Sequence, residues 1–220
     1  MNVVKLGQCE AVVWDLDGVL VDTEPDLKAS FRAAARAVGY GELTEEQVSN
    51  RIGGGAKRAL ELIFGGEHAE YVEPALAHFK DYYPRHSAVH SVLYPDVKET
   101  LESLHGHVRF AVATAKIRTA TLEILDTLGI IDLFDYIVTA DDMTRMKPDP
   151  QSIQMVQARF GVAPESVVMI GDMATDIQAA HAAGSTGIGV TYGYGREEDI
   201  RAAGADLIIS TPKEIIPLIR

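Results

Sequence analysis

The spacing of apolar and polar positions changes several times along the chain, and each change predicts a different kind of element. Ala11–Trp14 is a short apolar run rich in β-branched and aromatic residues, which predicts a buried strand. Residues 25–90 contain no convincing strand pattern. Apolar positions recur there at helical spacing, beginning with Leu27, Phe31, Ala34, Ala35 and Val38.

Local signals mark where the helices of this stretch begin and end. Asp26 is a predicted helix N-cap, and Gly39 is predicted to end the same helix. Thr44 followed by Gln47 is typical of a capping box that opens a second helix. Two further helices are expected around 59–64 and 67–83. We therefore predict a small all-helical insert over residues 25–90.

Beyond a linker at residues 91–96, short apolar runs alternate with helical patterns. Strands separated by helices imply right-handed crossovers and a parallel sheet that is covered on both faces. The predicted fold class is α/β, a doubly wound, Rossmann-like parallel sheet. Its core would comprise residues 1–24 and 91–220, and the helical cap domain residues 25–90. The later strands are predicted at 109–113, 136–138, 167–170, 187–190 and 207–209.

Composition narrows the possible partners. A chain of 220 residues suits one large domain or a core with a smaller insert. A net charge of -12 argues against nucleic acid or an anionic membrane as the main partner. No run approaches the ~18 apolar residues of a membrane span, and residues 1–10 lack the apolar core of a signal peptide. Cys9 is the single cysteine, so we expect neither an internal disulfide nor a cysteine-based zinc site. We expect the protein to be cytoplasmic.

Two aspartates, Asp15 and Asp17, directly follow the first predicted strand, at the end where open parallel sheets bind ligands. A carboxylate can attack phosphorus and form an aspartyl-phosphate. Two carboxylates so close together repel each other, so one can attack while the other carries a proton. Gly18 allows a sharp turn and leaves backbone N–H groups accessible. An isolated Asp-x-Asp-Gly is more often an ordinary turn, so the rest of the chain must decide.

Polar residues also follow the later strands. Thr114 comes after the second core strand, Lys147 lies in the loop after the third, and Asp172 with Asp176 follows the fourth. Parallel strands place their carboxyl ends on one side of the sheet, so these groups are expected to converge with Asp15. Carboxylate oxygens suit Mg²⁺, and a lysine and a threonine suit a phosphoryl group. Together they predict a site for phosphoryl transfer.

The chain thus carries four motifs in a fixed order, the first covering residues 15–23. In this order they resemble the motifs of the haloacid dehalogenase superfamily, and most of all its phosphoglycolate phosphatase-like branch with a small helical cap. The resemblance extends over essentially the whole chain, including the segments 177–184 and 187–194. The four motifs are Asp15-Leu16-Asp17-Gly18-Val19-Leu20-Val21-Asp22-Thr23, Thr114, Lys147-Pro148-x-Pro150 and Gly171-Asp172-x-x-x-Asp176.

The resemblance implies a role for each residue. Asp15 would be the nucleophile, and Asp17 would protonate the leaving group and then activate water. Thr114 and Lys147 would hold the phosphoryl group. Mg²⁺ would be bound by Asp15, Asp172 and the backbone carbonyl of Asp17, and by Asp176 either directly or through water. The implied substrate-binding residues are Leu16, Gly18 and Ala115 in the core and Arg51, Gly53 and Gly54 in the cap.

Differences within the superfamily refine this expectation. Members that remove halogens or cleave phosphonates lack an acid at the position of Asp17, so the resemblance favours a phosphatase. The position after Thr114 is often Asn in this branch, whereas here it is Ala115, whose backbone N–H can still serve. The expected substrate is a small phosphorylated metabolite, either phosphoglycolate or a sugar phosphate. We expect a monomer or a homodimer.

Other functions remain open from the sequence. A phosphotransferase or sugar-phosphate mutase of the same superfamily is one, although hexose-phosphate mutases usually carry two acids in place of Gly171-Asp172. A signalling receiver domain also combines acids, Mg²⁺, a threonine and a lysine, but it is shorter and lacks the helical insert. A third alternative is a non-hydrolytic phospho-binding protein. For Lys116 and Arg118, a role near the site and simple solvation are equally open.

Overall fold

The computed structural model describes residues 9–49, 51 and 55–219. Its centre is a six-stranded sheet in which every neighbouring pair is parallel, and a two-stranded antiparallel ribbon lies apart from it. The predicted doubly wound α/β fold is confirmed. The strands are β1 (Ala11–Trp14), β2 (Val21–Asp22), β3 (Val92–Leu93), β4 (Arg109–Ala113), β5 (Tyr136–Val138), β6 (Val167–Gly171), β7 (Thr186–Val190) and β8 (Leu207–Ile209).

Helices connect the strands and cover the sheet. Short 3₁₀ helices lie at Gly66–Tyr71, Tyr83–Arg85, Ile131–Leu133, Ala140–Asp142, Pro164–Ser166 and Pro212–Ile215. The α-helices are α1 (Glu24–Ala37), α2 (Glu45–Val48), α3 (Ala56–Phe64), α4 (Val72–Tyr82), α5 (Val97–Leu104), α6 (Arg118–Thr127), α7 (Gln151–Phe160), α8 (Ala174–Ala182), α9 (Glu197–Ala202) and α10 (Ile216–Ile219).

Strand β1 lies in the middle of the sheet, in the order β5-β4-β1-β6-β7-β8. All of its residues are fully buried, because helices cover both faces of a parallel sheet. Val12 and Trp14 pack on one face, with residues of α5 and α6, whereas Ala11 and Val13 pack on the other, with residues of α7 and α8. The carboxyl end of β1 is therefore held between β4 and β6, and the residues that follow β1 lie at the carboxyl edge of the sheet.

The helices α1 to α4 share a separate hydrophobic cluster that includes Leu27, Phe31, Leu60 and Phe79. Its aromatic rings stack, with 4.8 Å between the ring centroids of Phe31 and Phe79. From the core, Ala120 and Ile117 of the segment after β4 reach this cluster. We propose that residues 25–90 form a cap domain distinct from the core of residues 1–24 and 91–220.

The linker predicted at residues 91–96 contains strand β3, which the sequence did not reveal. Val21 pairs with Leu93 and Asp22 with Val92, so the two connections to the helical segment lie side by side. Two-residue strands are too short to show a periodic pattern. The entry to the helical segment and its exit are thus joined by backbone hydrogen bonds.

The prediction that Asp26 is the N-cap of the first helix is wrong. Helix α1 begins at Glu24, and its N-cap is Thr23. The carboxylate of Asp26 is buried and accepts hydrogen bonds from the backbone N–H groups of residues 89–91, at 2.9–3.1 Å. It also accepts a bond from the Ser91 hydroxyl at 2.8 Å. Asp26 therefore ties the start of the helical segment to its end.

The single helix expected over residues 67–83 is broken into three pieces. A 3₁₀ helix covers Gly66–Tyr71, α4 begins at Val72, and a second 3₁₀ helix covers Tyr83–Arg85. Pro74 lies in the first turn of α4, where the missing N–H of proline costs nothing. In a continuous helix from residue 67 it would lie in the interior and break the hydrogen-bond ladder. The capping box predicted at Thr44 and Gln47 is present.

Candidate active site

The acids and the lysine predicted from the strand ends meet at the carboxyl edge of the sheet. Asp15 directly follows β1, Thr114 follows β4, and Asp172 follows β6, while Asp176 lies in the first turn of α8. Lys147 reaches them from the loop between β5 and α7. All of these side chains, with Asp17, line one cavity of about 460 Å³. Its other wall is formed by Leu27, Phe31, Leu76, Phe79 and Tyr83 of the helical segment.

Lys147 is buried and contacts two of the acids. Its Nζ lies 3.2 Å from Asp15 Oδ2 and 2.5 Å from Asp176 Oδ1, and it donates to the Ala113 carbonyl at 3.0 Å. Burial alone would lower the pKa of Lys147, but the two carboxylates raise it above its ordinary value. The lysine therefore stays protonated and supplies one fixed positive charge to the site.

Asp15, Asp172 and Asp176 each offer a carboxylate oxygen within 4.8 Å of the others. Burial, followed by the charge of Asp176, raises the pKa of Asp172 to about 7. The pKa of Asp15 is also well above its ordinary value, mainly through burial and despite the opposing effect of Lys147. Asp172 Oδ1 is buried without a hydrogen-bond partner among the described residues. A hard divalent cation such as Mg²⁺ fits this set of oxygen donors and would relieve their repulsion.

Close backbone packing fixes the position of Asp172. Its Oδ2 accepts hydrogen bonds from the N–H groups of Tyr194 at 2.7 Å and Gly195 at 3.2 Å. Gly18 faces the same oxygen, and a Cβ on Gly18 would lie 2.2 Å from it. Gly18 also has a positive φ of 80°, which L side chains rarely adopt. The close approach of Asp172 thus accounts for a glycine after the two aspartates.

Both hydrogen-bonding contacts that the described residues make with the Asp17 carboxylate go to Oδ1. The Thr23 hydroxyl donates one, and Lys116 Nζ lies 3.0 Å from the same oxygen. The Lys116 side chain is only 4 % exposed, so of the two open alternatives for this lysine, solvation is wrong. Arg118 instead pairs with Asp142 at 2.5 Å and is partly exposed.

Several predicted substrate-binding residues have partners inside the protein. The Leu16 N–H donates to Asp15 Oδ1 at 2.8 Å, and the Gly18 N–H donates to the Val21 carbonyl at 3.0 Å. Ala115 lines the cavity. Arg51 is half-buried and is not among the described residues that line the cavity. Gly53 and Gly54 lie outside the described residues, so the roles assigned to these positions stay predictions.

Sequence reasoning missed residues that touch the site from distant segments. Tyr83 of the helical segment lies 2.5 Å from Lys116 Nζ through its hydroxyl. The Tyr194 hydroxyl accepts from the N–H groups of Thr23 and Glu24 and donates to Asp22. The sequence placed Tyr194 in a segment, residues 187–194, that resembles the family, but it predicted no role for this residue. Nothing in the local sequence around Tyr83 distinguishes it from a residue of the hydrophobic core.

The chain is similar to a described family and to several known proteins. Residues 12–190 match the family model described as haloacid dehalogenase-like hydrolase. The chain is 34% identical over 217 residues to a phosphoglycolate phosphatase of Nitrosospira multiformis, covering 96% of each protein. It is also 34% identical over 220 residues to an N-acetylmuramic acid 6-phosphate phosphatase of Pseudomonas aeruginosa, covering 98% of the chain and 97% of that protein. A crystal structure described as a predicted phosphoglycolate phosphatase from Haemophilus somnus superposes with a TM-score of 0.88 at 30% identity, over 97% of this chain and 99% of that one.

Among the described residues, no helix is both long and apolar enough to cross a bilayer.

Proposed function

The chain belongs to the haloacid dehalogenase-like hydrolase family, and we propose that it hydrolyses a small phosphorylated metabolite through an aspartyl-phosphate on Asp15. It is a phosphoric monoester hydrolase, as its phosphatase relatives indicate. One observation carries the mechanistic proposal. Two carboxylates follow the central strand and share one cavity with Lys147, Thr114 and the acids after β6.

In the proposed reaction the two aspartates have different tasks. Asp15 attacks phosphorus, and the bond from phosphorus to the leaving oxygen breaks as that oxygen takes a proton from Asp17. Asp17 then removes a proton from the water that attacks the aspartyl-phosphate, which releases phosphate and restores Asp15. Lys147 and Thr114 bind the oxygens of the transferred group, which orients it for attack. The fixed position of Asp15 at the end of β1 favours such in-line attack.

Mg²⁺ is the proposed cofactor. Asp15, Asp172 and the backbone carbonyl of Asp17 would hold it, with Asp176 binding either directly or through water. When bound, it would neutralise the carboxylates and the negative charge of the phosphoryl group. The donor set supports this assignment, since all three side chains are carboxylates and one buried oxygen of Asp172 lacks a protein partner among the described residues.

The cavity also bears on the choice between phosphoglycolate and a sugar phosphate. The described part of the cap wall is largely apolar. The cavity has a volume of about 460 Å³, which lies in the range of pockets that enclose ligands larger than phosphoglycolate. The lysines of the cap wall, Lys57 and Lys80, are both exposed, and Lys57 pairs with Glu73 at 2.7 Å. These lysines can bind a carboxylate, and phosphoglycolate and N-acetylmuramic acid 6-phosphate both carry one, so charge does not separate the two substrates. On the size of the cavity we favour a sugar phosphate, the class that includes the substrate named for the Pseudomonas relative.

A panel of phosphate esters tests the proposal. Phosphate release is measured with Mg²⁺ and with a chelator, using phosphoglycolate, N-acetylmuramic acid 6-phosphate and several hexose phosphates. We expect Mg²⁺-dependent release from one sugar phosphate far above release from phosphoglycolate. The reverse order would overturn the substrate assignment alone. No release from any ester, with a stable phosphorylated protein, would support a phosphotransferase, a mutase or a phospho-binding role instead.

A further inference from the structure

A buried lysine next to the proposed acid is not used by the reaction as described so far. Lys116 Nζ lies 3.0 Å from Asp17 Oδ1 and 2.5 Å from the Tyr83 hydroxyl. It also lies 4.5 Å from the centroid of the Tyr83 ring, within the range of a cation–π interaction. A lysine with 4 % side-chain exposure is costly to bury without partners, and both partners here are specific side chains.

The two partners of Lys116 belong to different parts of the chain. Asp17 follows the central strand β1, whereas Tyr83 lies at the end of the helical segment, directly after α4. The Tyr83 ring stacks on Phe79 with 4.9 Å between centroids, and Phe79 stacks on Phe31. Three stacked rings therefore lead from the hydrophobic cluster of the helical segment to Lys116, and from there to the carboxylate of Asp17.

We propose that Lys116 is a positioning residue. It orients the Asp17 carboxylate when the helical segment packs against the core, because this packing brings Tyr83 into contact with Lys116. The proposal rests on the function proposed above. In the structure, Lys116 contacts the Tyr83 ring, the Tyr83 hydroxyl and Asp17 Oδ1. If the helical segment moves away, Lys116 loses the hydroxyl and the ring together.

The contacts of Asp17 explain why its orientation matters. Thr23 and Lys116 both bind Oδ1, and the described residues make no hydrogen bond with Oδ2. Oδ2 is thus the oxygen available to exchange a proton with the leaving group or water. Without Lys116, only the Thr23 hydroxyl fixes the carboxylate, and rotation about its bond to Cβ would turn Oδ2 out of line. Proton transfer is sensitive to such misplacement.

This role makes a prediction that a purely structural role does not make. An ester with a poor leaving group, such as a sugar phosphate, needs the proton from Asp17. In p-nitrophenyl phosphate the leaving phenolate is stable and needs no proton. Misplacement of Asp17 should therefore slow cleavage of the sugar ester much more than cleavage of the aryl ester, whereas general distortion of the site slows both alike.

The experiment measures ester cleavage in a single turnover, with enzyme in excess over ester and with Mg²⁺ present. The esters are the best sugar phosphate of the panel and p-nitrophenyl phosphate. For Lys116→Met we expect a loss of about 100-fold with the sugar ester, and a much smaller loss with the aryl ester. For Tyr83→Phe, which keeps the ring and removes the hydroxyl, we expect about a fivefold loss confined to the sugar ester.

Lys98→Met is the matched control, because Lys98 is exposed on α5 and is not among the described residues that line the cavity. It should leave both rates unchanged. Equal losses with the two esters in Lys116→Met, or no loss in either, would overturn the inference. If Lys116→Met does not fold, Tyr83→Phe decides by the same ratio. If the wild-type protein cleaves neither ester, the proposed function itself fails, which is a separate outcome.

Discussion

Replacement of Asp26 by alanine should destabilise the protein although Asp26 lies outside the cavity. Its carboxylate accepts hydrogen bonds from the backbone N–H groups of Val89, His90 and Ser91 and from the Ser91 hydroxyl. Ser91 is buried, so its N–H would lose its partner in a place that water reaches poorly. The N–H groups of Val89 and His90 belong to exposed residues and can bind water instead.

The size of the effect follows from these contacts. An unsatisfied buried donor costs ~1–3 kcal/mol, and hydrogen bonds to a charged group contribute about 1.5–3 kcal/mol. Because water replaces part of the loss at residues 89 and 90, we expect a total of about 3 kcal/mol. In a protein of this size each kcal/mol shifts Tm by about 2–4 °C, so the expected decrease is about 6–12 °C. Differential scanning calorimetry at neutral pH measures it.

Asp81→Ala is the control, since Asp81 lies in the same helical segment, is well exposed and pairs only with Arg85 among the described residues. Its Tm should change by no more than about 2 °C. Burial would raise the pKa of Asp26, but the N–H groups of His90 and Ser91 lower it below its ordinary value. The stabilisation is therefore present above that ordinary pKa and is lost as pH falls through the folded-state pKa. A Tm difference as small as that of the control, or one that grows in acid, would refute this reasoning.

Four further substitutions test the site. Asp15→Asn should abolish phosphate release with an unchanged circular dichroism spectrum, and retained turnover would exclude Asp15 as the nucleophile. Asp17→Asn should slow both ester cleavage and hydrolysis of the phosphorylated protein in rapid-quench assays; an unchanged rate for both would remove its acid and base role. Gly18→Ala places a Cβ 2.2 Å from Asp172 Oδ2, so we expect weaker Mg²⁺ binding by calorimetric titration, and wild-type affinity would contradict the close packing. Arg51→Ala should alter KM for the natural substrate more than for p-nitrophenyl phosphate, and equal changes for both esters would count against a contact with the leaving group.

The sheet and the residues at its carboxyl edge could be predicted because their signals are local. Four apolar residues before Asp15 mark a strand that is buried on both faces, and the parallel arrangement follows from the alternation of strands and helices. Once the strands are parallel, Thr114, Lys147 and Asp172 must lie on the same side. Chain order and strand polarity alone therefore place the proposed catalytic groups, without any knowledge of side-chain contacts.

The contacts made by Lys116, Tyr83 and Asp26 could not be predicted, since each joins segments far apart in the chain. Lys116 and Tyr83 are separated by 33 positions, and Asp26 and Ser91 by 65. Asp26 next to a helix start is equally consistent with an N-cap, and only the path of the returning chain shows otherwise. Such residues depend on how the helical segment sits on the core, and no periodic pattern carries that information.

The short ribbon of β2 and β3 has a consequence for protein engineering. Paired residues in an antiparallel ribbon lie about 5 Å apart at their Cα atoms, a gap that a tight two-residue turn can close. The whole helical segment could thus be excised and Asp22 rejoined to Val92 through a turn such as Asn-Gly, or a foreign helical module grafted at the same two points. The sheet would need no new register. Exchange of this insert would change which molecules the cavity can enclose, while the strand ends that carry the acids would stay in place.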